Sequence, residues 1–115
     1  MRVDLDITGR LAAGELIPAD TFNRGEWASV LVHVADQEGH SISGALVSFS
    51  VRKPTGAITC NLRGMTAADG NVVGSCRILP NAIPGFWDAH VDSVRKRGYF
   101  LLNAYSVLDH YFLLR

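Results

Sequence analysis

An excess of charge of either sign is missing from this sequence: 11 lysines and arginines stand against 11 aspartates and glutamates. No global field therefore steers the chain toward nucleic acid or an anionic membrane. The one basic run, Arg95-Lys96-Arg97, stands just before Gly98 and reads as a solvated turn. Long apolar runs are missing too. No stretch reaches the roughly 18 uninterrupted apolar residues of a membrane span. The opening Met1-Arg2-Val3-Asp4-Leu5-Asp6 has no apolar segment of the kind a secretory leader carries. The expectation is a fragment or processed product of a longer exported chain, with a cytosolic protein as the alternative.

Catalytic signatures are equally scarce. The four histidines, His33, His40, His90 and His110, are scattered, and two of them fall at outward strand parities. No G-x-S-x-G, no H-E-x-x-H and no Cys/His pairing at metal spacing occurs. The expectation is a protein that is not an enzyme. Disorder is excluded by composition, since 48% of the residues are hydrophobic and only 19% charged. A chain of 115 residues is the size of one domain and buries roughly two-thirds of its unfolded surface, so it needs no covalent staple. Helical periodicity is absent except over Ala12 to Thr21, where Gly14 and Pro18 cut it short.

What is present is alternation. Ala28, Val30, Val32 and Val34 alternate with Ser29, Leu31 and His33, the period of a half-buried strand. Asp36-Gln37-Glu38-Gly39 breaks the run with turn chemistry. Ala45, Val47, Phe49 and Val51 share the next inner face, and Lys53-Pro54-Thr55-Gly56 is a second turn. Ile58, Cys60 and Leu62 share a parity before Ala68-Asp69-Gly70-Asn71, a hairpin signal of the Asp-Gly type. Val72, Cys76 and Ile78 share a face beyond it, and Pro80 and Pro84-Gly85 end that strand. Trp87, Ala89 and Val91 then alternate with Asp88, His90 and Asp92. Short strands with turn signals every ten or so residues predict an all-β sandwich or barrel.

The order of these motifs resembles the bacterial immunoglobulin-like domains of the invasin type. Val32-His33-Val34-Ala35-Asp36, then Gly39, then Ile42-Ser43-Gly44-Ala45-Leu46-Val47 is similar to their V-x-V-x-D-x-x-G-x-x-V-x-G-A-x-V signature. Thr66-Ala67-Ala68-Asp69-Gly70 resembles their T-D-x-x-G hairpin, and Pro84-Gly85-Phe86-Trp87 their entry to a late strand. Val91-Asp92-Ser93-Val94 with Gly98-Tyr99 is similar to their ending. The opening resembles the start of such modules when appended to secreted subtilisin-like proteases. The resemblance runs from Trp27 to about Tyr105. It implies an Ig-like β-sandwich of about seven antiparallel strands, secreted or at a cell surface, in adhesion, anchoring or spacing of a neighbouring domain. The organisation expected is one domain over 1–115: a lead-in strand and loop over 1–24, the sandwich core over 25–107 and an apolar segment over 108–115. Two rivals remain, a filament or sheath subunit assembling through its terminal strands and a carbohydrate-binding module. Against the latter, Trp27 and Trp87 both fall at apparent core parity, where a sugar-binding row of aromatics would be exposed.

Three groups of residues carry candidate chemistry. Cys60 and Cys76 sit at apolar parities either side of one hairpin, and two readings stand: buried free thiols or a disulfide. Strict pairing about Asp69-Gly70 places Cys76 opposite Arg63, so a bridge needs a bulge or a contact between sheets. The segment Asp4 to Glu15 has oxygen donors at the first, third, fifth and twelfth positions and glycine at the sixth, the spacing of a calcium loop. Its metal ligands are Asp4, Asp6, Thr8 and Glu15, with Arg10 offering its carbonyl; the alternative is a plain first strand over Val3 to Ile7, and no other cofactor is expected. The run from Tyr99 to Leu114 is too apolar for a free tail. It reads as core up to Val107 and, beyond it, as a surface for a neighbouring domain or sister subunit, formed by Tyr111, Phe112, Leu113 and Leu114.

Overall fold

Strand periodicity translates directly into buried faces. In the computed structural model, which describes residues 1–12, 15–17, 21–99, 101 and 106–115 and only the backbone at 10–12 and 15–17, Ala28, Val30, Val32 and Val34 are all fully buried. The same holds for Ala45, Val47 and Val51, with Phe49 at 1% exposure. The strands in chain order are β1 (Arg2–Ala12), β2 (Glu15–Ile17), β3 (Thr21–Phe22), β4 (Trp27–Ala35), β5 (Leu46–Arg52), β6 (Ile58–Met65), β7 (Asn71–Arg77), β8 (Gly85–Arg95) and β9 (Asp109–Leu114). No helix occurs among the described residues.

The strands form two sheets, ordered β2-β1-β4-β7 and β3-β9-β8-β5-β6. Their inner faces meet over one core, whose largest buried side chains are Trp87, Phe22, Phe49 and Phe112. Phe112 packs edge-on against Phe22, with centroids 5.2 Å apart, and lies 6.2 Å from Trp87. Trp87 Nε1 donates to the Ile83 carbonyl at 2.8 Å, so burying the indole leaves its polar atom satisfied.

The chain forms a β-sandwich, but three expectations need correction. Nine strands are present among the described residues, and the second sheet is mixed because β3 runs parallel to β9. The ends are not appendages. β1 pairs with β4 from Arg2 to Leu11, and β9 pairs with β8 from Asp109 to Leu114, so both are built into the sheets. Asp69-Gly70 is a turn, closed by Gly70 N to Ala67 O at 2.9 Å and by Asn71 N to the Asp69 carboxylate at 3.0 Å. It does not pair the strands it joins, since β6 belongs to one sheet and β7 to the other.

The close approach of the sheets here depends on glycine. A Cβ at Gly74 on β7 would lie 2.9 Å from the Phe49 ring and 3.0 Å from Leu62, both on the opposite sheet. Gly70 adopts φ +78, and a Cβ there would meet the Val34 carbonyl at 2.6 Å.

Candidate functional site

Outward parity on β8 carries Asp88 and His90, two residues apart and therefore on one side of the sheet. The register of β8 with β9 sets Asp109 opposite His90 and Tyr111 opposite Asp88. Directly opposed side chains start about 4.5–5.5 Å apart at Cβ. Asp88, His90 and Asp109 consequently bring one donor atom each to within 4.8 Å of the others. His90 Nδ1 is hydrogen-bonded to Asp109 Oδ1. A carboxylate only accepts, so this ring nitrogen carries the proton.

The flank toward β5 explains how Asp88 is left. Arg52 is its cross-strand partner, yet the guanidinium turns to Asp92 at 2.8 Å and to Ser50 Oγ at 3.4 Å. Ser50 also donates to Asp92 at 3.1 Å. Asp92 occupies a β-bulge, between the pairs Ser48–Ser93 and Phe49–Val91, which offers its carboxylate to this arrangement. One oxygen of Asp88, Oδ1, is shielded from solvent and has no hydrogen-bond partner among the described residues. Desolvation first, and then the hydrogen bond and repulsion of Asp109, push the Asp88 carboxyl up to about 6, against the smaller opposing pull of His90 and Arg52.

The other histidines also have polar partners. His33 Nδ1 donates to Asn71 at 2.6 Å, and His110 lies 3.2 Å from Asp6. His40 lies 3.4 Å from Asp36 and 3.5 Å from Glu38. Asp36 accepts the backbone N–H groups of Glu38 and His40, each at 2.9 Å. The His40 backbone bond is the chief cause holding its carboxyl below the usual range.

The calcium spacing does not become a loop. Asp4, Asp6 and Thr8 lie along β1, and the antiparallel pairing of β1 with β2 sets Glu15 opposite Ala12. At about 3.3 Å per residue, Asp4 and Glu15 are held at opposite ends of a strand. The other side chains have local partners: Asp4 pairs with Arg2 at 3.0 Å and accepts Val107 N at 3.2 Å. Thr8 donates to the Ser29 carbonyl at 3.3 Å. The side chains of Arg10 and Glu15 lie outside the described residues.

Cys60 and Cys76 are joined in a disulfide, with Cα atoms 6.1 Å apart. They lie on β6 and β7, edge strands of different sheets, so of the two routes to a bridge, a bulge or a contact between sheets, the structure takes the second. The predicted partner surface divides by parity. Phe112 and Leu114, each 1% exposed, are core residues and not available to a partner, because β9 points them inward. Tyr111 is 64% exposed, and Leu113 is half-buried on the same outward side. In the preceding run, Phe100 and residues 102–105 lie outside the described residues. Trp87 is buried as predicted, whereas Trp27, the first residue of β4, is exposed.

Sequence reasoning missed the Asp88–His90–Asp109 grouping. The alternation Asp88-Ala89-His90 was a visible signal for two of its members. Asp109 joins them only through the pairing of β8 with β9. No protein-family model matches the chain, and comparison with curated proteins finds no match.

Proposed function

We propose that the chain is an Ig-like, non-catalytic extracellular module that anchors or spaces a neighbouring domain of a surface or secreted protein. The observation that carries this reading is the Cys60–Cys76 bridge, which ties the free edges of the two sheets together. Disulfides persist in exported proteins and are rare in reducing compartments. An extent of 43 Å along the longest axis suits a spacer. The filament reading draws less support, because β9 completes the chain's own second sheet. A carbohydrate-binding row is also disfavoured: exposed Trp27 lies on one sheet, and Phe86 and Tyr111 on the other.

Labelling of intact producing cells with a membrane-impermeant reagent, followed by antibody capture, tests the assignment. The protein is expected at the surface or in the medium, with both cysteines oxidised. Recovery only from the cytosol, with two free thiols, would overturn it. Light scattering after size-exclusion chromatography separates the rival: a mass near 12.5 kDa supports a module, and a large assembly the filament.

A further inference from the structure

We propose that Asp88, His90 and Asp109 form a binding site for a divalent transition-metal ion, best matched by zinc. Two residues spaced i, i+2 on one strand and a third on the neighbouring strand project from the same sheet face. Their donor atoms already lie within 4.8 Å of one another. An ion held at about 2.0–2.2 Å from each donor draws them in by roughly an ångström, which rotation of the side chains supplies.

The electrostatics favour a cation at this point. A carboxylate oxygen of Asp88 and one of Asp109 lie within 4.8 Å of each other, so two like charges face one another and a cation between them is favoured. The guanidinium of Arg52, the cross-strand partner of Asp88, is held on Asp92 and Ser50. Asp88 Oδ1 is shielded from solvent and, among the described residues, meets no hydrogen-bond donor. Such an oxygen is costly to leave unmade, and a metal ion is a partner that satisfies it while relieving the repulsion between the carboxylates. The hydrogen bond between His90 and Asp109 is exchanged for coordination when the ion binds.

Donor chemistry selects the class of ion. One imidazole with two carboxylates suits zinc or its transition-metal neighbours. Calcium takes six to eight oxygen ligands, and magnesium gives up its water reluctantly, so neither is matched by three donors that include a nitrogen. Asp109 is exposed, which leaves an open side for water or an external ligand to complete the shell. This inference is independent of where the protein resides.

Zinc chloride is titrated into the full, disulfide-intact chain in a non-chelating buffer, followed by calorimetry and by the histidine ring resonances in NMR. One equivalent is expected to bind, with the His90 ring shifting first and His40 unmoved. Outer-shell mutations at zinc sites cost about 10–100-fold in affinity, so His90→Ala and Asp109→Asn, which remove direct donors, should each lose at least about tenfold. Far-UV circular dichroism in EDTA verifies that both variants fold, and the wild-type NMR readout needs no variant. His40→Ala should bind as wild type. The proposal is overturned if millimolar zinc leaves the His90 resonance unmoved, or if His40→Ala abolishes binding. It is equally overturned if folded His90→Ala and Asp109→Asn keep full affinity, or if calcium binds these residues as tightly as zinc.

Discussion

Ala45 and Thr66 hold each other twice: Ala45 N donates to Thr66 Oγ1 at 2.9 Å, and Thr66 N donates to the Ala45 carbonyl at 2.9 Å. The hydroxyl proton goes to the Ile42 carbonyl at 2.7 Å, and Gly44 N donates to the Thr66 carbonyl at 2.8 Å. One threonine, itself 4% exposed, thus fixes the entry to β5 against the exit from β6. Replacing Thr66 by valine keeps the shape and removes the hydroxyl, leaving the Ala45 N–H and the Ile42 carbonyl without that partner. The expected loss is about 1–3 kcal/mol in denaturant unfolding, with Thr66→Ser losing less. Equal stability of Thr66→Val and wild type would show that water replaces the hydroxyl.

The disulfide closes a chain segment with a sequence separation of 16. On the loop-entropy account this contributes roughly 3 kcal/mol by restricting the unfolded chain. Guanidinium unfolding of the Cys60→Ala/Cys76→Ala double variant should show a loss of that order. Adding reductant should then leave the variant unchanged while bringing the wild type down toward it. Two thiols titrated in the denatured, unreduced protein would contradict the bridge.

The two tryptophans provide an internal contrast. Trp87 is 1% exposed, with its indole nitrogen bonded to the Ile83 carbonyl. Trp87→Ala is expected to cost about 3–5 kcal/mol, combining lost transfer energy with a cavity. Trp27 is 44% exposed, and Trp27→Ala should cost about 1 kcal/mol or less. Comparable losses at the two positions would contradict the placement of Trp27.

The pH dependence follows from the carboxyl of Asp88, raised to about 6 when folded and near 3.9 when unfolded. Between those values the folded state holds a proton that the unfolded chain has lost. The contribution of Asp88 to stability therefore falls as pH rises from about 4 to about 6, and levels off above. Asp109, His90 and Arg52 are the charges facing it. In EDTA, the Asp88→Asn variant should gain relative to wild type as pH rises through this window. Parallel unfolding midpoints for the two proteins from pH 4 to 7 would remove Asp88 as the source. Asp36 acts with the opposite sign, since its folded carboxyl is lowered: its contribution is present above the unfolded value and lost as pH falls further.

The misread calcium segment shows where spacing stops being informative. Donors at loop intervals from Asp4 to Glu15 describe a metal site only if the backbone curls. The same residues also carry Val3, Leu5 and Ile7 at a period of two, and all three are buried, at 0%, 2% and 7% exposure. Burial of that apolar face in the core between the sheets favours extension, because each buried side chain contributes about 1.5–3 kcal/mol. The interval between acidic residues was then an accident of their outward parity.

Sequence alone determined the inward faces of β4, β5 and β8, through Val30, Val32, Val34, Val47, Phe49, Val51, Trp87 and Ala89, and with them the all-β class. A strand turns alternate side chains to opposite sides whatever lies next to it, so this information is local. Which strands become neighbours was decided only in three dimensions. The Asp69-Gly70 turn reads as a hairpin because its chemistry is local. The chain instead crosses there between sheets, since Val72 and Leu62 both pack against the core from opposite sides. That crossing brings Cys60 to Cys76, and the pairing of β8 with β9 brings Asp109 to Asp88 and His90. Both depend on strand order, which is set by the summed burial of many side chains and is not carried by any single interval along the chain.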